Sequence, residues 1–101
     1  MSMTASEAAA WREDVNELHG VLMNAAQERS DRSSFLPVSG ELGWVVFERL
    51  AMLDAVNRLR ARKGRSPVDR ERIEFAERRA VGHSDYMLKF AMGAADLVSS
   101  P

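Results

Sequence analysis

The feature that most constrains the fold is an almost uninterrupted apolar stretch from Gly40 to Leu59, with the sequence GELGWVVFERLAMLDAVNRL. Wound as a helix of about 3.6 residues per turn, it has one broad apolar face and a second, narrower one. Only thin polar seams, with Glu48 on one side and Asp54 on the other, separate the two faces. A helix that is apolar nearly all round is normally buried, so the sequence predicts a central helix covered on two sides.

Composition suits a small domain built around such a helix. A chain of 101 residues is long enough to bury a hydrophobic core, and we expect a single helical domain over residues 1–101. The absence of cysteine excludes disulfides and thiolate metal sites and favours a reducing cytoplasm. The N-terminal residues lack the pattern of a signal peptide, and no stretch reaches about 18 consecutive apolar residues, so neither secretion nor a membrane span is expected.

Apolar residues recur at spacings of three and four in two further segments, Ala8 to Ala26 and Met87 to Val98, as in amphipathic helices. A weaker pattern lies between residues 67 and 81, where Phe75 points away from the apolar side. The sequence therefore predicts an all-α fold, a small antiparallel bundle of four helices at about 5–29, 40–63, 67–81 and 84–98. The second helix is central in this prediction and packs against the first and fourth.

Small polar residues predict where these helices begin. Thr4 or Ser6 can cap the first helix, Ser66 the third and Ser84 the fourth. In each case a side-chain oxygen can accept a backbone N–H that lacks a partner at the helix start. The connections before the third and fourth helices each contain a glycine, which suits the end of the preceding helix.

Charge is distributed unevenly, although the net charge is only −1. The first 57 residues carry four basic and nine acidic residues, whereas the remainder carries ten basic and six acidic ones. The basic residues around the turn between the second and third helices are candidate nucleic-acid contacts: Arg58, Arg60, Arg62, Lys63, Arg65, Arg70 and Arg72. However, cations are expected at any helix C-terminus, and acids on the third helix weaken the positive field. Nucleic-acid binding is therefore the alternative hypothesis.

Arg49 lies within the broad apolar face of the second helix, where an unpaired charge is costly. One interpretation is that it pairs with an acid of the first or fourth helix, namely Asp14, Glu17 or Asp96, or with an acid of a second subunit. The other is that its aliphatic stem packs while its guanidinium group reaches water. The sequence does not decide between them.

The narrower apolar face of the second helix is a candidate interface. Aromatic residues are enriched in the cores of protein interfaces, and small residues let another helix approach closely. The candidates are Trp44, Phe47, Ala51, Ala55 and, on the third helix, Phe75. If the third helix or the preceding loop covers the face, these residues belong to the core; otherwise they contact a second copy or another protein.

Catalytic and cofactor sites find little support. The consecutive residues His83, Ser84 and Asp85 do not easily supply the geometry of a catalytic triad, whose members normally come from separated positions. With two histidines far apart and no cysteine, the ligands for a metal site are few. The chain also lacks a glycine-rich phosphate loop. We therefore expect no enzyme activity, no cofactor and no metal.

The predicted function is binding: a small non-catalytic protein that acts through protein–protein contact, most simply as a cytoplasmic homodimer. Twelve of the fourteen basic residues are arginine, which indicates a GC-rich coding source of bacterial or phage type. A nucleic-acid-binding regulator that uses the basic hairpin is the alternative. A ligand-binding or enzymatic helical bundle has the least support, because no group of polar residues converges within the predicted core.

Overall fold

In the computed structural model, the chain forms four helices: α1 (Ala5–Arg32), α2 (Glu41–Arg62), α3 (Arg70–Ala80) and α4 (Tyr86–Ser99). The structure describes the backbone of residues 3–32 and 41–101 and the side chains of residues 3–28 and 48–101. Within these ranges there is no strand, and the helices pack against one another. The predicted all-α bundle of four helices is confirmed.

Two helices share the centre of the bundle. As predicted, α2 contacts α1 and α4; it also contacts α3, and α4 likewise contacts all three other helices. The inner face of α4 is completely buried and consists of Phe90, Ala91, Ala94, Ala95 and Val98. The other helices contribute further fully buried side chains: Leu18, Leu22, Met52, Val56 and Ile73. The small residues of α4 matter because they let three neighbours pack closely around one helix.

The third and fourth helices begin later than the sequence predicts. Asp69, not Ser66, caps α3 by accepting from the backbone N–H of Arg72 at 3.2 Å. Residues 65–69 stay non-helical, and Asn57 holds Val68 there by bonding both its N–H and its carbonyl. Because these contacts hold the segment, α3 starts three residues beyond the predicted Pro67.

Two other predicted helix starts have different outcomes. Thr4 caps α1 as expected: its hydroxyl accepts from the N–H of Glu7 at 3.1 Å, and its own N–H donates back to the Glu7 carboxylate. At α4 the predicted N-cap, Ser84, is wrong by one residue. Asp85 is the cap there, since its carboxylate accepts from the N–H of Leu88 at 3.3 Å. A carboxylate at this position also interacts favourably with the helix dipole.

Glycine at position 64 ends α2 in the way the sequence predicts. Its φ is +70°, a left-handed conformation, and the N–H of Arg65 beyond it donates back to the carbonyl of Arg60 at 2.9 Å. This pairing of N–H and carbonyl groups across a left-handed glycine is a common helix ending. It directs the chain back into the short connection to α3.

Two glycine-to-alanine substitutions should have opposite effects on stability. We expect Gly64→Ala to lower the free energy of unfolding by about 1–2 kcal/mol, because a Cβ atom strains a left-handed residue. Gly20→Ala should raise it by about 0.5–1 kcal/mol, since Gly20 lies inside α1 with open space where a Cβ would be. Urea unfolding followed by circular dichroism measures both. Equal effects of the two substitutions would contradict the assigned ending of α2.

Candidate functional site

Most basic residues of the hairpin between α2 and α3 are engaged within the molecule. Arg60 is only 3% exposed, and its guanidinium group donates to the carbonyls of Ser66 and Leu97, each at 2.6 Å, and of Ser100 at 2.8 Å. Arg65 donates to the carbonyls of Ser99 and Ser100, both at 2.9 Å. Arg60 is therefore a structural residue, and its prediction as a nucleic-acid contact is wrong.

The remaining hairpin cations are more exposed, but most have acidic partners. Four form ion pairs: Arg58 with Asp54, Arg62 with Glu17, Lys63 with Asp14, and Arg70 with Glu74. Arg72 has no ion pair among the described residues. These pairs lower the positive charge that the hairpin can offer to a phosphate backbone.

Arg49 is paired, but with the third helix. Its guanidinium group bonds Glu77 at 2.6 Å and Glu74 at 3.3 Å, and its side chain is 20% exposed. The pairing interpretation is thus confirmed, whereas the predicted partners on α1 and α4 are wrong. The reason is that α3, and not another helix, brings its acidic positions against this part of α2. Glu77 could have been found from the sequence, because it shares the apolar stripe of Ile73 and Ala80 at helical spacing.

Tyr86 completes this buried polar cluster at the start of α4. Its hydroxyl donates to the second carboxylate oxygen of Glu77 at 3.3 Å, while its ring packs against Phe90 at 5.9 Å between centroids. Burial, followed by the negative charge of Glu77, raises the pKa of Tyr86 well above its ordinary value. The hydrogen bond to Glu77 likewise raises the pKa of Arg49. The cluster joins α2, α3 and α4 through hydrogen bonds and ion pairs.

The raised pKa of Tyr86 predicts a loss of stability in alkaline solution. In the unfolded chain this phenol ionises near the ordinary value of about 10, whereas the folded protein holds the proton to higher pH. The folded state therefore binds more protons in this window, so the free energy of unfolding falls as pH rises above about 10. Because Tyr86 is the only tyrosine, tyrosinate absorbance reports on it directly.

We expect the native midpoint of this titration to lie above that of the urea-unfolded chain. Glu77→Gln removes the neighbouring negative charge and should lower the native midpoint. Identical midpoints in the folded and unfolded chain would contradict the buried position of Tyr86.

The predicted interface residues fall into three groups. The side chains of Trp44 and Phe47 lie outside the described residues. Ala55 is 3% exposed and belongs to the core, so its prediction as an interface residue is wrong; Ala51 is half-buried. Phe75, in contrast, is 55% exposed on the outer side of α3, about 200° around the helix from the buried Ile73.

Beside Phe75, an open groove of about 540 Å³ runs between α3 and α4. Its apolar lining includes Phe75 together with Trp11, Met92 and Leu97, three side chains that are half-buried. Apolar spacing places Trp11 only in the pattern from Ala8 to Ala26, and it does not single out Met92 on α4. The groove thus adds residues that sequence reasoning missed.

The groove lies where α3 and α4 cross through small residues. A Cβ atom built on Gly93 would lie 3.3 Å from the Cβ of Ala76, so the two helices are already at close contact there. Because Gly93 and Ala76 have almost no side chain, the larger residues on either side of the crossing form the walls of the groove. Small residues at a close helix crossing have a structural role, and here they also form the floor of a groove.

Three cations line this apolar groove. Arg72 and Arg79 line it from α3, and Lys89 lines it from α4; all three are exposed and have no ion pair among the described residues. The guanidinium group of Arg79 lies over the ring of Phe75, 5.9 Å from its centre. One acid, Asp96, also lines the groove, and it accepts from the indole N–H of Trp11 at 2.9 Å. The groove therefore combines an apolar floor with a cationic rim.

Among the described residues, no group of three or more histidine, cysteine, aspartate or glutamate side chains could hold a metal ion. Within those residues there is also no helix long and apolar enough to cross a membrane. Comparison with protein families, curated proteins and solved structures finds no match to this chain.

Proposed function

We propose that this chain is a small, non-catalytic protein-binding domain that acts through contact, and that the groove between α3 and α4 is its docking surface. The observation that carries the proposal is the exposed Phe75 beside an open groove lined by Trp11 and Met92. Exposed aromatic rings beside apolar hollows are typical of protein interaction sites, because a partner can bury them completely. A bacterial or phage protein of the cytoplasm is the setting that the absence of cysteine and the predominance of arginine support.

Nucleic-acid binding has less support than protein binding. Its residues were predicted in the hairpin, where Arg60 is buried and five others bond acids or backbone carbonyls. If the hairpin nevertheless binds DNA, retention on a heparin or duplex-DNA column should fall with salt and with Arg62→Ala. If Arg62→Ala leaves retention unchanged, nucleic-acid binding by the hairpin is rejected.

Self-association is a separate proposal. The sequence places a homodimer contact on the face of Trp44 and Phe47, whose side chains lie outside the described residues. Light scattering on a size-exclusion column tests it: a homodimer predicts a mass that approaches two chains as concentration rises. A mass of one chain at every concentration would contradict the homodimer and leave the docking groove unaffected.

A photo-crosslinker tests whether Phe75 meets a protein. Phe75→p-benzoylphenylalanine keeps an aromatic side chain at this position, and irradiation in the native host should give discrete adducts with a protein. The matched control is Leu50→p-benzoylphenylalanine, because Leu50 is 50% exposed on α2 and does not line the groove. The proposal expects adducts from position 75 that are absent from position 50. Equal adducts at the two positions, or none at position 75, would contradict it.

A further inference from the structure

We infer that the occupant of the groove is an acidic, amphipathic helix belonging to a different protein. This inference rests on the proposed protein-binding function and adds the chemistry of the partner. Three properties of the groove carry it: its unpaired cationic rim, its apolar floor between two helices, and the poor fit of a second copy of the chain. Each has a separate physical basis.

The rim selects for negative charge. Arg72, Arg79 and Lys89 project around the groove without an ion pair among the described residues, whereas four cations of the nearby hairpin have acidic partners. The single acid of the groove, Asp96, is already bonded to Trp11. Complementary charge steers association and rejects wrong partners. A segment rich in aspartate or glutamate therefore suits the rim.

The shape of the groove favours a helix. Its floor is the crossing of α3 and α4 at Ala76 and Gly93, and its walls carry Phe75 on one side and Met92 on the other. An amphipathic helix can lay its apolar face into such a groove, with anchors at spacings of three and four residues. The polar face of the bound helix then carries the acids, which lie next to the cationic rim at the edges of the contact.

A second copy of this chain fits less well. In a symmetric dimer whose twofold axis passes through the groove, the unpaired cations around one groove would face those around the other. Placing the exposed acids Glu7 and Glu13 of α1 from one copy against the groove of the next avoids that repulsion. However, such a head-to-tail contact has to close into a ring of several copies or extend as an open filament. The charge of the groove thus favours a different protein.

Synthetic peptides test the inference directly. The probe is a fluorescein-labelled peptide of about five helical turns, with leucine at every third or fourth position and glutamate at most others. Its matched control carries lysine in place of glutamate. Fluorescence anisotropy should show saturable binding of the acidic peptide, weaker binding at higher salt, and no comparable binding of the lysine peptide.

Variants of the chain locate the binding. Phe75→Ala and the double variant Arg79→Ala/Lys89→Ala should each weaken binding of the acidic peptide about tenfold, and the double variant should also reduce its salt dependence. Arg58→Ala is the matched control, because Arg58 is an exposed cation of α2 that does not line the groove. The three altered groove residues are exposed, so circular dichroism should show that all variants remain folded.

Several results would overturn the inference. They are no saturable binding of the acidic peptide, equal binding of the lysine peptide, or equal binding by wild type and Phe75→Ala. Tighter, Phe75-dependent binding of oligothymidine would identify a single-strand nucleic-acid surface, on which aromatic rings stack with bases. Phe75-dependent binding of labelled chain to unlabelled chain would identify a second copy as the occupant.

The crosslinking experiment separates this inference from the proposed function. Protein adducts at position 75 without binding of the acidic peptide would retain the docking groove and reject the acidic helix. If there are neither protein adducts at position 75 nor binding of the acidic peptide, the docking groove and the acidic helix are both rejected.

Discussion

Arg60→Leu is expected to lower the free energy of unfolding by about 3 kcal/mol or more. Arg60 is 3% exposed and bonds the carbonyls of Ser66, Leu97 and Ser100, which ties the end of α2 to the following turn and to the end of α4. Leucine cannot donate to these carbonyls, and each hydrogen bond lost from a charged donor contributes about 1.5–3 kcal/mol. Urea unfolding followed by circular dichroism measures the change.

Two further variants make the Arg60 prediction specific. Arg60→Lys keeps the charge but loses the planar group that can reach several carbonyls, so it should recover only part of the lost stability. Arg58→Ala, two residues away, removes an arginine that is 60% exposed and should change stability by less than about 1 kcal/mol. Equal effects of Arg58→Ala and Arg60→Leu would show that Arg60 does not hold the three segments together.

Arg49→Met should destabilise the fold by about 3–5 kcal/mol, because it leaves a buried carboxylate without its cation. The side chain of Glu77 is only 5% exposed, and after the substitution its one remaining partner described here is the hydroxyl of Tyr86. The same unfolding measurement tests this. A loss below about 1 kcal/mol would mean that water reaches Glu77 readily and that the pair behaves as a surface ion pair.

The double variant Arg49→Met/Glu77→Met is the matched control for the buried pair. Replacing both charges with apolar side chains of similar length removes the unpaired carboxylate, so most of the lost stability should return. The difference between the double variant and the two single variants then gives the coupling energy of the pair. Independent, additive effects would contradict a direct contact between Arg49 and Glu77.

The candidate site shows where sequence reasoning succeeds and where it stops. Phe75 could be identified because it lies off the apolar stripe of its own helix. The groove beside it could not, since its walls come from α1, α3 and α4 and meet only after packing. Arg79 and Lys89 resemble ordinary surface cations in the sequence. Their significance depends on their shared position around an apolar hollow and on the lack of an ion pair in the described residues.

The basic hairpin illustrates the opposite error. Seven cations close together in sequence suggested a phosphate-binding surface. Cations that are neighbours in sequence can, however, be buried or paired with acids in the fold. Arg60 is buried by contacts with α4, some 40 residues further along the chain, and Lys63 is paired with Asp14 of α1. Such long-range partners cannot be read from helical spacing, which relates only neighbours on one helix.

The sequence by itself determined the local structure: which segments are helical, which side of each is apolar, and where left-handed glycine ends α2. These features depend on helical periodicity, capping and backbone conformation within a few residues. Only the tertiary structure decided that Arg49 pairs with α3, that Arg60 bonds the end of α4, and that Gly93 and Ala76 form the floor of a groove. The physical reason is that ion pairs, buried hydrogen bonds and grooves form between helices, and close packing selects which faces meet.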